Sequence, residues 1–106
     1  MSRFVFCPYL NSNVELTDER EAHIISTHPG TLPDYIDEVL ETIKNPDQIR
    51  HSERDSSALL FSKWFDTIRT GRYLVVVIVV ASQRPWIITI YTARKLSKGN
   101  VIWQKN

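Results

Sequence analysis

The sequence predicts an α+β domain in which two N-terminal helices pack on a four- to five-stranded antiparallel sheet. Three observations carry that expectation. Two strongly β-forming runs, Tyr73–Ala81 and Trp86–Thr92, are separated by the short Ser82–Pro85 link, which makes them the central hairpin of a sheet. Between residues 17 and 44 the apolar spacing is instead that of helices. With 106 residues there is room for one core, so residues 1–106 form a single domain in which helices and strands share it.

Taken in order, Phe4–Cys7 predicts a short strand, stopped by Pro8 and the turn residues Asn11, Ser12 and Asn13. Val14–Leu16 leads into Thr17, a good N-cap, with Asp18 and Glu19 where carboxylates favour a helix N-terminus. The first helix covers Asp18–Thr27 and breaks at His28-Pro29-Gly30, with Ala22, Ile24 and Ile25 on its apolar side. Thr31 caps the second helix, which holds Pro33 in its first turn. Leu32, Ile36, Val39, Leu40 and Ile43 form its core stripe, and Asn45-Pro46 ends it. Strands follow at Ile49–Glu53 and Ala58–Phe65, with Arg54–Ser57 as the turn between them. After the polar loop Asp66–Arg72 come the two long runs, then a turn at Lys98–Asn100 and a last short strand at Val101–Trp103.

Composition excludes several classes. The apolar fraction of 42% and charged fraction of 24% are those of an ordinary soluble domain. The longest apolar run, Leu74–Ala81, falls far short of the ~20 residues a membrane helix requires. A single cysteine cannot form an internal disulfide, which makes a reducing cytoplasm the expected compartment. The net charge of +1 is unevenly spread. Residues 15–47 are acidic, with Arg20 and Lys44 their only bases, whereas residues 50–106 hold only Glu53, Asp55 and Asp66 as acids. An acidic helical part and a basic sheet allow an anion-binding face, and equally two differently charged solvated surfaces.

No metal site or cofactor is expected. His23 and His28 stand about 140° apart around a helix, so they do not share a face, and there is no cysteine pair. Glycine-rich phosphate loops are absent as well. What remains suits phosphodiester cleavage without a metal. RNA supplies its own 2′-OH nucleophile, so an enzyme needs a base for that proton, an acid for the leaving 5′-oxygen and cations around the phosphate. His23, His28 and His51 are candidates for proton transfer; Arg50, Arg54, Lys63, Arg94 and Lys95 are candidates for phosphate binding. Blander roles compete. His28 also suits a helix C-terminus, His23 can pack half-buried against the sheet, and Lys63 or Arg94 can be a plain surface cation. Strand alternation puts Arg50 and His51 on opposite faces, and likewise Tyr91 and Thr92. Trp64, Phe65, Trp86 and Trp103 can stack bases or pack the sheet.

The stretch Val14–Arg20, then His23-Ile24 and His28-Pro29, resembles the opening of small prokaryotic proteins of the BECR group, named for barnase, EndoU, colicin and RelE-type ribonucleases. The likeness continues through Asn45–Arg50, Leu59–Phe61, Tyr73–Val80, Trp86–Thr89, Tyr91–Lys95 and Gly99–Trp103. It implies a helix pair on a four-stranded antiparallel sheet and metal-independent endoribonuclease activity, often as the toxin of a toxin–antitoxin pair. By position, His23 and His28 match the helical histidines, Arg50 the basic residue of the first sheet strand, and Thr92 with Arg94 the end of the central hairpin. On this reading His23 or His28 is the general base or acid. Arg50 and Arg94 hold the phosphate, and Thr92 donates a hydrogen bond to a non-bridging oxygen. Arg54, Lys63 and Lys95 bind RNA, free or ribosome-bound, and an antitoxin protein is the expected partner. The alternative is a catalytically silent RNA- or partner-binding module of the same fold, which the near-neutral charge favours.

Overall fold

A computed structural model of the chain describes residues 2–80 and 83–106. Ala81, at the end of the long apolar run, and Ser82 of the expected turn lie outside them. The elements run β1 (Arg3–Cys7), β2 (Ser12–Leu16), α1 (Asp18–Thr27), α2 (Ile36–Lys44), β3 (Gln48–His51), β4 (Ala58–Phe65), β5 (Arg72–Val79), β6 (Trp86–Ala93) and β7 (Asn100–Gln104). Among the described residues the strands form one seven-stranded sheet in the order β1-β2-β6-β5-β4-β3-β7.

This corrects the expected four- to five-stranded antiparallel sheet beneath two N-terminal helices. The sheet is larger and mixed, and two strands precede the first helix. The difference lies mainly in Ser12–Leu16, which is a strand and not a lead-in to the helix. Val14 and Leu16 alternate into the core, and the turn ahead of them holds Asn11 at φ 50°, a conformation asparagine tolerates. β2 pairs antiparallel with β1 and parallel with the start of β6, at Glu15 opposite Trp86. The other pairings are antiparallel, with β5 and β6 at the centre as the two long apolar runs require.

α1 matches its expected bounds, and the Thr17 hydroxyl accepts the Arg20 amide at 3.1 Å. Of its expected apolar side only Ile24 is buried; Ala22 and Ile25 are exposed. β2 covers only the first residues of β6, so α1 runs beside the remaining edge of that strand. The Arg20 guanidinium donates to the Ile88 carbonyl at 3.3 Å and lies 5.7 Å over the Trp86 ring. α2 starts later than expected, at Ile36, because Leu32 precedes a proline and is steered away from helical backbone. Val39 and Ile43 anchor it across β1, β4 and β5.

The two faces of the sheet differ. One carries the main core, where Ile49, Phe61, Leu74, Val76, Ile78, Ile87 and Ile90 meet Ile24 of α1 and the α2 stripe. The other holds a smaller cluster of Ala58, Leu60, Val75, Val77 and Val79, flanked by Tyr73, Trp86, Ile88, Tyr91 and Leu96, with no helical residue in it. That second face is where a ligand can approach the strands.

Candidate functional site

Strand register fixes what the helix-free face presents. Arg50 lies opposite Leu60, Leu60 opposite Val77, and Val77 opposite Thr89, so these four form one cross-strand row. The next row is Gln48, Ser62, Val75 and Tyr91. A cleft of about 610 Å³ opens over Leu60, Val77, Thr89 and Tyr91 of these rows. Leu60, Val77, Ile88, Thr89 and Tyr91 line it together with the β3–β4 turn (Ser52–Asp55) and Ser97-Lys98 of the segment entering β7.

The β3–β4 turn is held by its own side chains. The Asp55 carboxylate accepts the Ser57 hydroxyl at 2.6 Å and the Ser57 amide at 2.9 Å, and these hydrogen bonds push its pKa down. Arg54 is exposed beside it. The cleft therefore offers two cations, Arg54 and Lys98, next to two carboxylates, Glu53 and Asp55. Its charge is patterned, with both signs represented.

Arg50 is the unusual residue. It is 2% exposed, and its Nη1 donates to the Ser97 carbonyl and, at 3.3 Å, to the Ser97 hydroxyl. Its Nε and Nη2 are buried without a partner among the described residues. A buried donor left unmade costs about 1–3 kcal/mol, more when charged, so this guanidinium is held against its own desolvation. The 96–99 segment closes over it: a Cβ on Gly99 would stand 2.9 Å from the His51 carbonyl and 3.4 Å from the Arg50 Cβ, which glycine alone avoids.

At the Tyr91 end of the cleft, the His28 ring lies 6.0 Å from the Tyr91 ring, tilted by 36°. His28 caps the C-terminus of α1, so the helix that covers the edge of β6 also delivers the imidazole there. His23, five positions earlier, is exposed on α1.

Of the expected site residues, Arg54 lines the cleft, Arg50 lies buried against its Ser97, and His28 stands against its Tyr91. The structure separates others. Thr92 is opposite Leu74 and therefore faces the helix-covered side of the sheet. Arg94 and Lys95 are exposed in the bend after β6, outside the cleft lining. Lys63 is held by Asp47 at 3.3 Å and the Asn45 carbonyl at 3.0 Å. His51 points away from Arg50, and its Nδ1 is buried with no partner among the described residues. Thr89, Ser97 and Lys98 join the cleft without having been singled out, and so does Tyr91, which the sequence set only against Thr92. Alternation separates Tyr91 from Thr92, but only the position of the helices decides which of the two faces is open. Among the described residues no group of three His, Cys, Asp or Glu side chains is placed to hold a metal ion, and no helix is long and apolar enough to cross a membrane.

No family model, curated protein or solved structure matches the chain. The BECR resemblance stands on the sequence motifs alone.

Proposed function

We propose that the chain is a metal-independent endoribonuclease-like protein that binds RNA on the helix-free face of its sheet. The observation that carries this reading is the cleft over Leu60, Val77 and Thr89, with Arg54 and Lys98 in its wall and the partly unpartnered Arg50 beneath Ser97. A phosphate in the cleft meets the exposed Arg54 in bidentate fashion with Lys98 beside it, while the buried Arg50 guanidinium adds positive charge from beneath Ser97. The His28 ring beside Tyr91, a cleft-lining residue, supports His28 as the proton-transfer group.

In the proposed step the 2′-OH oxygen attacks phosphorus while its proton passes to a base. The bond from phosphorus to the 5′-oxygen breaks, the leaving oxygen takes a proton, and a 2′,3′-cyclic phosphate remains. His28 serves one of the two proton transfers, and Arg50, Arg54 and Lys98 stabilise the charge that builds on the phosphate. The sequence motifs add the toxin of a toxin–antitoxin pair as the biological setting, with ribosome-bound RNA as one candidate substrate.

The test is to incubate the purified chain with labelled single-stranded RNA and with cellular RNA, with and without ribosomes, in excess chelator. Cleavage that falls at least about 100-fold in His28→Ala is expected. Absence of cleavage by the wild type under all these conditions would overturn the enzymatic reading. A silent RNA-binding module is the second reading, favoured by Glu53 and Asp55 beside Arg54, and it predicts binding without cleavage in the same assay.

A further inference from the structure

Trp64 is an exposed tryptophan held still. Its side of β4 continues the cleft face, because Trp64 is opposite Tyr73 and Tyr73 is opposite Ala93, the row that follows Ser62, Val75 and Tyr91. The residue is 41% exposed, yet four restraints fix it. Its backbone amide donates to Asp47 Oδ2 at 2.9 Å, at the point where β4 has run past the end of β3. Its indole Nε1 donates to Asp66 Oδ1 at 2.6 Å. Its ring meets Tyr73 edge-on, with centroids 5.0 Å apart and an interplanar angle of 75°. The ring finally rests on Gly71, where a Cβ would stand 2.5 Å from Trp64 Cζ2 and where φ is +110°.

A large exposed ring usually either folds onto the surface or moves. Here the backbone, the indole nitrogen, the ring edge and a glycine seat are all used to keep it in one place. A fixed aromatic surface at the end of an open sheet is what an unpaired base stacks on, since the cost of ordering the side chain is already met. The platform is also continuous with the cleft. From Trp64 to Tyr91 is one row along the strands and two strands across, roughly 12 Å between α-carbons. That separation lets one RNA chain occupy the cleft and the ring together.

We propose that Trp64 is a base-stacking subsite for single-stranded RNA whose phosphate lies in the cleft. The inference rests on the RNA-binding reading and extends it from the phosphate to a neighbouring base. A duplex cannot use the site, because its bases are stacked on one another. The substrate is therefore unpaired over the nucleotides that reach Trp64.

The test uses the full chain and two probes of one sequence: a 2′-O-methyl single-stranded RNA, which cannot be cleaved, and the same strand paired with its complement. Cleavage of the unmodified strand is followed separately. Trp64→Ala is expected to weaken single-strand binding about 5- to 100-fold, with Trp64→Phe recovering part of the loss, and the duplex is expected to bind more weakly than the single strand. Trp64→Ala loses the Asp66, Tyr73 and Gly71 contacts and is expected to melt somewhat lower, so binding is compared at a temperature where both chains are folded. Equal single-strand binding by wild type and Trp64→Ala overturns the stacking site, even if cleavage persists. No binding of the single strand by wild type, or binding of the duplex as tight, also overturns it. Binding that depends on Trp64 without any cleavage supports the site and sinks the nuclease reading alone.

Discussion

Arg50 is the residue where stability and function pull apart. Its guanidinium is buried, bonds Ser97 through Nη1, and leaves Nε and Nη2 without partners among the described residues. Replacing a poorly satisfied buried charge by an apolar group of similar shape is often neutral or stabilising. Arg50→Met is therefore expected to keep unfolding free energy within about 1 kcal/mol of wild type or to raise it. Its affinity for single-stranded RNA is expected to drop. A loss of ~3 kcal/mol or more in chemical denaturation would instead make Arg50 a structural residue. Much of this residue's setting was legible in the sequence. Alternation separates Arg50 from His51, and the basic character of the second half suggests an anion. The 96–99 segment that buries it was not, because a Leu-Ser-Lys-Gly stretch carries no signal of what it will lie upon.

At the level of elements, the first helix was the most readable. Thr17 followed by acids marks its start, His28-Pro29-Gly30 marks its end, and the observed helix has those bounds. Its role depends on a pairing that leaves no local trace. Among the described residues β2 pairs with β6 at Glu15 and Trp86, and α1 then runs along the remaining edge of β6 and brings His28 to Tyr91. A parallel contact between segments about seventy residues apart has no turn to announce it. For the same reason β2 reads as a lead-in to the helix, being short and opening on Ser12 and Asn13, residues typical of turns. The Thr17 cap has a definite worth: Thr17→Ala is expected to lower stability by about 1 kcal/mol. Thermal or denaturant unfolding measures the loss, and Thr17→Asp should restore it. An unchanged Thr17→Ala would mean that packing on β6, and not the cap, sets the start of α1.

For the molecule as a whole, the decisive feature is the asymmetry of the sheet. Seven strands give a surface larger than two short helices can cover, so α2 shields one face and α1 an edge. The other face is left to loops, the small Leu60–Val75–Val77 cluster and a cleft. The apolar runs made the central strands legible, while the count of strands and the open face depend on long-range pairing. The central claim is that RNA binds this open face. Its most direct test is amide chemical-shift mapping of the ¹⁵N-labelled chain titrated with a non-cleavable single-stranded RNA. The account predicts shifts concentrated at Arg54, Thr89, Tyr91 and Lys98, with Val39 and Ile43 of α2 unmoved. Shifts centred on α2, or none at saturating RNA, would contradict it.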